Sequence, residues 1–373
     1  MGSVVVNCAN LHQGGGIQVA SSFLDELSNF EFDHLKLIFW VSSEVDMNLR
    51  SLGSKICTHP NYFVKNLYGI KAIYSDLNVE INCTDIVFSV FGPNYLRVKA
   101  KKEIVGFAQP WILNFNNPIA NKMSLLDRNI LRLKFFIQWL FFLRADNLVV
   151  ELEHVKDSLV KYKGIDAGKV SVVYNTVSSL YFNQEKWRDV LVHKKKGHIS
   201  LGIVTRDYPH KNLSVLPSVA KCLKDKYSLD VHFYVTLNDG EWAGKDSDFK
   251  QCVSTVGALT PDQCPSFYKQ MDGVIFPSLL ECFSATPLEA MVMEKPLFAS
   301  DRDFVRDVCG DFAVYFDPLD PNDIARKIAN YFTLKEDRSA MLKKAREYAT
   351  NFSSAKGRAE KYLKIIQDTL EGI

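Results

Sequence analysis

Glu281 and Glu289 stand eight positions apart around a run of small and hydroxylated residues, Cys282-Phe283-Ser284-Ala285-Thr286-Pro287-Leu288. The apolar segment Gly273-Val274-Ile275-Phe276-Pro277 precedes them and reads as a short buried strand; Ala290-Met291-Val292-Met293-Glu294 follows as helix. A strand-to-helix turn of this kind presents backbone N–H groups at a helix N-terminus, where the dipole favours an anion. Carboxylates beside that anion would repel phosphate but accept hydrogen bonds from hydroxyl groups, such as those of a sugar. The stretch therefore has the chemistry of a nucleotide-sugar site. A structural reading stands next to it. Thr286-Pro287-Leu288-Glu289 also fits a capping box with proline in the first turn, which leaves Glu289 structural and Glu281 an ordinary loop carboxylate.

Three other loops carry polar chemistry. Arg206 and Lys211 lie five apart in Thr205-Arg206-Asp207-Tyr208-Pro209-His210-Lys211-Asn212, directly after an apolar run. They can bracket a diphosphate, the arginine by its fork and the lysine as a point charge; the alternative is a solvated charged loop. In Asn10-Leu11-His12-Gln13-Gly14-Gly15-Gly16, three glycines let backbone approach a ligand closely. Their spacing matches neither GxGxxG nor GxxxxGK[ST], and a tight structural turn accounts for them equally well. Gly106-Phe107-Ala108-Gln109-Pro110-Trp111 ends another strand, with Gln109 as its polar residue.

The elements that must position these loops alternate between strand and helix. Apolar strand runs are expected at 4–6, 35–41, 85–90, 102–107, 147–150 and 170–174, and again at 198–204, 229–235, 274–276, 297–299 and 313–316. Helical spacing falls between them, at 17–30, 122–144, 214–226, 261–271, 288–293 and 324–332, and two long helices, 335–350 and 354–370, close the chain. Continuous β-branched runs joined by helices predict mostly parallel sheets covered on both faces, an α/β fold of two doubly wound domains. Residues 177–197 are polar, hold Lys194-Lys195-Lys196 and lack a sustained period, so they are taken as a linker region. The expected division is 1–176, the linker 177–197, 198–353, and a C-terminal helix 354–373. Tyr362, Leu363, Ile366 and Leu370 give that helix an apolar stripe, which predicts that it crosses back to the first domain. Ligands of such sheets bind at the carboxyl ends of the strands, where all four loops lie.

Bulk properties narrow the classes. A chain of 373 residues, 47% hydrophobic and 24% charged, is ordinary globular protein long enough for two cores. A formal charge of +2 provides no pervasive basic excess for nucleic acid. Eight cysteines (8, 57, 83, 222, 252, 264, 282 and 309) form no CxxC pair, as expected of free thiols in a reducing cytoplasm. Met1-Gly2-Ser3-Val4-Val5-Val6 has no basic n-region, so no signal peptide is expected.

Together these pieces resemble a family 4 glycosyltransferase of the GT-B architecture, two Rossmann-like domains facing across a cleft. Gly14-Gly15 followed by Phe23, Leu24 and Leu27 is similar to that family's first loop and helix. Ala145-Asp146-Asn147-Leu148-Val149-Val150 and Lys169-Val170-Ser171-Val172-Val173-Tyr174-Asn175 resemble the last strands of its first domain. Arg206, Lys211, the run Val256-Gly257-Ala258-Leu259-Thr260-Pro261, Phe276-Pro277-Ser278 and the E-x7-E spacing of Glu281 and Glu289 then follow in the family's order. The resemblance implies retaining transfer of a sugar from a UDP- or GDP-sugar to an acceptor hydroxyl, without metal or cofactor. It implies that Arg206 and Lys211 offset charge on the leaving diphosphate. Phe283, Ser284 and Ala285, with Gly14, Gly15 and Gly16, would cradle the donor. Glu281 would hold sugar hydroxyls, Glu289 the ribose, and the backbone near Val256 and Gly257 the base. No covalent nucleophile is evident, which suits a same-face mechanism in which the leaving phosphate takes the acceptor proton.

Two positions depart from the pattern. Gln109 stands where many members have histidine and can only position an acceptor; Ser284 replaces a frequent glycine. A metal is not expected: the DxD spacing Asp301-Arg302-Asp303 in the second half lies beyond the phosphate pocket. The rivals are a nucleotide-sugar epimerase or a phosphorylase on the same fold, or a non-catalytic nucleotide-sugar binder. The resemblance further suggests bacterial surface-polysaccharide synthesis (O-antigen, capsule or lipopolysaccharide) in the cytoplasm, with a saccharide or lipid-linked saccharide acceptor. Within 122–144, Arg128, Arg132, Lys134 and Arg144 are interleaved with leucines and aromatics. Such a helix reads as a peripheral contact with the inner membrane. The alternative is that an all-round apolar helix fills the first domain's core.

Overall fold

The computed structural model describes residues 2–31, 35–81, 84–97, 99–334 and 336–373. Cys83 and Lys335, the latter the start of an expected helix, lie outside the described residues. The chain divides into two compact units, one of Met1–Phe115, Met123–Asn175 and Ser353–Ile373, the other of Asn116–Lys122 and Thr176–Phe352.

The first unit is built on β1 (Gly2–Cys8), β2 (Leu35–Val41), β3 (Tyr62–Val64), β4 (Ile86–Ser89), β5 (Lys102–Gly106), β6 (Asn147–Val150) and β7 (Val170–Val172). They form one parallel sheet ordered β3-β2-β1-β4-β5-β6-β7. Val4 pairs with Leu37 on one side and Ile86 on the other and is fully buried, which is why β1 is apolar on both faces. The C-terminal helix, Ala355–Glu371, belongs to this unit. Its Ala359, Tyr362, Leu363 and Ile366 join the core around Phe23 and Phe88, and Tyr362 meets Phe23 edge-on at 4.9 Å. One turn earlier, Arg358 is 2% exposed and donates to the Asn175 side chain, whose amide donates to Glu151 at 2.8 Å.

The second unit holds β8 (Ile199–Ile203), β9 (Val231–Val235), β10 (Val253–Thr255), β11 (Gly273–Phe276), β12 (Leu297–Ser300) and β13 (Val314–Phe316). These too are all parallel, in the order β10-β9-β8-β11-β12-β13. Strand order reverses at β8 and β11, and at β1 and β4 in the other sheet. Such switch points open a crevice at the carboxyl ends of the strands. Residues 177–197, expected as a linker, pack onto this second unit. Val177, Tyr181 and Val192 are buried, the Trp187 indole donates to the Leu180 carbonyl at 2.7 Å, and the Lys195 amide is held by the Tyr234 hydroxyl. No sustained period marks the segment because side chains anchor it one at a time. Strand β10 and the short edge strand β3 have three residues each, too few to show a period.

Candidate donor site at the second switch point

Strand β8 runs into the loop holding Arg206 and Lys211, and β11 into the loop holding Glu281. The backbone ties the two together: the Leu279 amide donates to the His210 carbonyl at 2.7 Å. Pro209–Lys211 form a single 3-10 turn, closed by Asn212 in the left-handed region at φ 55°. The Asn212 side-chain amide holds that turn by donating to the Pro318 carbonyl at 2.9 Å.

This geometry delivers Lys211 to Glu281. Their Nζ and Oε1 atoms are 2.8 Å apart, with the side chains only 14% and 10% exposed. The ammonium also lies 5.6 Å from the Phe276 ring centroid. Two opposite charges taken from water this far attract strongly, yet each costs several kcal/mol to desolvate, on the order given by ion transfer into protein. Such a pair adds little net stability. Burial pushes the pKa of neighbouring His210 down, against the opposing pull of Glu281.

Glu289 lies in the helix Ala285–Val292 and accepts a hydrogen bond from the Tyr268 hydroxyl at 3.0 Å. Burial pushes its pKa up to about 7, against the stabilising effect of Tyr268, Tyr181 and Lys211. Tyr181, also buried, acts on the same carboxylate electrostatically. The capping box that would have made Glu289 structural is not formed. Ser284 precedes the helix without a side-chain hydrogen bond, and the Thr286 hydroxyl turns to the Val204 carbonyl at a long 3.5 Å.

Arg206 has its own carboxylate partner. Its guanidinium is half exposed and its Nε donates to Glu241 at 2.9 Å, so Arg206 and Lys211 belong to two separate ion pairs. Glu241 also closes a capping box with Asn238, a motif whose spacing was present in the sequence but unused. Lys245 pairs with Asp207 at 2.6 Å. Val256 and Gly257 follow β10; Gly257 has φ 79°, a conformation that favours glycine, and its amide is held by the Thr255 hydroxyl. Phe283 and Ala285 are partly exposed and Ser284 buried.

Gly14, Gly15, Gly16 and Gln109 are in the first unit. Gly14 has φ 74°, and a Cβ on Gly14 or Gly15 would meet open space, so conformation and not crowding selects glycine at Gly14. Neighbouring His12 is wedged between the Glu44 carboxylate at 2.8 Å and the Leu67 carbonyl at 3.0 Å and stacks on Tyr68. Gln109 precedes the turn Pro110–Leu113 and makes no side-chain cap. Among the described residues, no group of three or more His, Cys, Asp or Glu is arranged to hold a metal ion. Both carboxylate oxygens of Asp301, the first acid of the DxD spacing, are on Arg306 at 2.5 and 2.8 Å.

Residues 183–348 match the family described as Glycosyl transferases group 1. O-antigen chain mannosyltransferase RfbU of Salmonella typhimurium is 26% identical over 182 residues, 47% of this chain and 48% of that protein. The alignment thus spans about half the length of that relative. A glycosyltransferase from Rickettsia africae has a similar structure, with TM-score 0.66 at 16% identity, covering 100% of this chain and 99% of that one. Alr3699/HepE from Anabaena, solved in complex with UDP and glucose, has TM-score 0.64 at 14% identity, with 100% of both chains covered. Sucrose-phosphate synthase from Thermosynechococcus elongatus reaches 0.67 at 11%, covering 100% and 99%. At such identities the structural likeness speaks for the fold. The chain therefore has a GT-B fold, and its residues 183–348 are similar to the glycosyl transferases group 1.

Proposed function

We propose that the protein is a retaining, metal-independent glycosyltransferase that moves a sugar from a UDP- or GDP-sugar to an acceptor hydroxyl. The observation that carries this reading is the Lys211–Glu281 pair, 2.8 Å apart and nearly enclosed at a sheet switch point. A donor diphosphate arriving there exchanges partners with it. The ammonium moves to phosphate oxygens, and the released carboxylate accepts hydrogen bonds from the sugar hydroxyls. As the bond from C1 to the leaving oxygen breaks, negative charge grows on the diphosphate, where Lys211 stabilises it more than in the ground state. Arg206 adds a second cation once its exposed guanidinium leaves Glu241. The acceptor oxygen bonds C1 on the face being vacated and passes its proton to the leaving phosphate. Glu289 holds the ribose, Phe283 to Ala285 and Gly14 to Gly16 line the donor, the backbone of Val256 and Gly257 meets the base, and Gln109 positions the acceptor.

The likeness to a mannosyltransferase of O-antigen chains supports a role in bacterial surface-polysaccharide synthesis. UDP and glucose in the Anabaena relative support a nucleotide-sugar donor. The acceptor is a saccharide or a lipid-linked saccharide, reached from the cytoplasm with 122–144 in peripheral contact with the membrane. A thermal-shift panel of UDP- and GDP-sugars, with and without EDTA, tests the donor reading. One nucleotide class should raise Tm equally in both conditions, since a donor at a hundred times its Kd stabilises by about 2.7 kcal/mol. No shift from any nucleotide sugar contradicts a donor site, and a shift abolished by EDTA contradicts metal independence.

A further inference from the structure

Helix Leu125–Phe142 is not buried as an all-round apolar helix would be: only its Phe135 and Phe142 are enclosed. Leu126, Ile130, Leu133, Phe136 and Leu140 are 71%, 59%, 61%, 58% and 46% exposed. At about 100° per residue they share one face, opposite Phe135 and Phe142, with Asn129 the one polar residue among them. Lys134 and Arg132 fall at the two borders of that face, about 100° to either side of Leu133. The acid of the first turn, Asp127, lies outside the face and accepts from the Ser124 hydroxyl at 2.7 Å.

We propose that this face docks flat onto an anionic lipid bilayer, with the leucines in the acyl boundary and Arg132 and Lys134 at the headgroups. The proposal rests on the peripheral-membrane reading above and assigns it to one face. A contiguous outward apolar stripe is the kind of patch that soluble monomers rarely leave uncovered. No described helix is long and apolar enough to cross a membrane, so the helix lies in the interface. Charge selects the occupant. A second copy docking isologously would bring the two cationic borders against each other, whereas anionic headgroups complement both. The inward face specifies what docking positions. Trp111 stacks on Phe135 at 5.8 Å, and Phe107 meets Phe142 edge-on at 4.8 Å. The loop with Gln109 therefore rests on the inner side of the helix, about one helix diameter of 10–12 Å from the lipid surface. A sugar carried on a lipid would be presented at that height.

The test is co-sedimentation of the full chain with phosphatidylcholine vesicles, with and without phosphatidylglycerol, at low and high salt. Wild type should bind only the anionic vesicles, less well at high salt. Leu126→Asp/Leu133→Asp should lower that affinity about ten-fold or more, on the scale of losing two buried leucines. Arg132→Glu/Lys134→Glu should lose mainly the salt-sensitive part. Both variants should keep the wild-type Tm and donor-induced thermal shift. Wild-type binding that both variants retain overturns the assignment to this face while leaving the membrane reading standing. No wild-type binding to anionic vesicles overturns both. A dimer dispersed by Leu126→Asp/Leu133→Asp, without vesicle binding, assigns the face to a second copy instead.

Discussion

Burial has moved the Glu289 carboxyl up to about 7, and Tyr268, Tyr181 and Lys211 oppose the move. An unfolded chain would titrate this group near 4.5, so the folded protein holds the extra proton between those values. The stabilisation is complete below about pH 4.5 and is lost as pH rises through about 7. Glu103 and Glu151, also pushed up to about 7 by burial, contribute with the same sign. Glu289→Gln should therefore flatten, without abolishing, the fall in Tm over that window. In Tyr268→Phe the carboxylate loses a donor and its pKa rises further. If the ionised form holds the ribose, the acid limb of donor affinity moves to higher pH in this variant, which titration calorimetry across a pH series would read. An unmoved limb removes Glu289 from the donor site. Glu281 and Glu289 were legible because their spacing frames a turn. Tyr268 was not, since only folding brings a residue 21 positions upstream onto Glu289.

Among the elements, the closing helix Ala355–Glu371 carries the most consequence for stability. Its stripe was evident from Tyr362, Leu363 and Ile366, but Arg358, a charge on the buried side, gave no signal of its fate. Truncation before Ser354 removes four residues of the first unit's core, where each large side chain lost costs about 2–5 kcal/mol. Limited proteolysis should then digest the first unit while sparing the second. A milder change, Arg358→Ala, removes the charged donor to the Asn175 side chain and the buried cation near Glu151 and should cost about 1–3 kcal/mol in chemical denaturation. A loss below about 1 kcal/mol would mean that the buried network contributes no more than an exposed pair. The helix at 122–144 was legible as a helix, with its environment undecided. Apolar residues all round fit core and membrane surface alike, and only the exposure of Leu126 and Leu133 separates them.

For the whole molecule, alternating apolar runs were enough to anticipate two parallel α/β sheets, because strands buried on both faces are apolar throughout. The partners within the site were less legible. Charge and spacing suggested Arg206 beside Lys211, whereas the fold gives the arginine to Glu241 and the lysine to Glu281. The most direct test of sugar transfer at the Lys211–Glu281 pair is nucleotide release, measured with the purified protein, its best-stabilising nucleotide sugar and a saccharide acceptor fraction. Wild type should release nucleotide only when acceptor is present. Lys211→Ala and Glu281→Gln, each folded by circular dichroism, should do so about 10²-fold more slowly, the scale of losing one preorganised charged group. Wild-type rates in both variants, or release that ignores the acceptor, would contradict transfer at this pair.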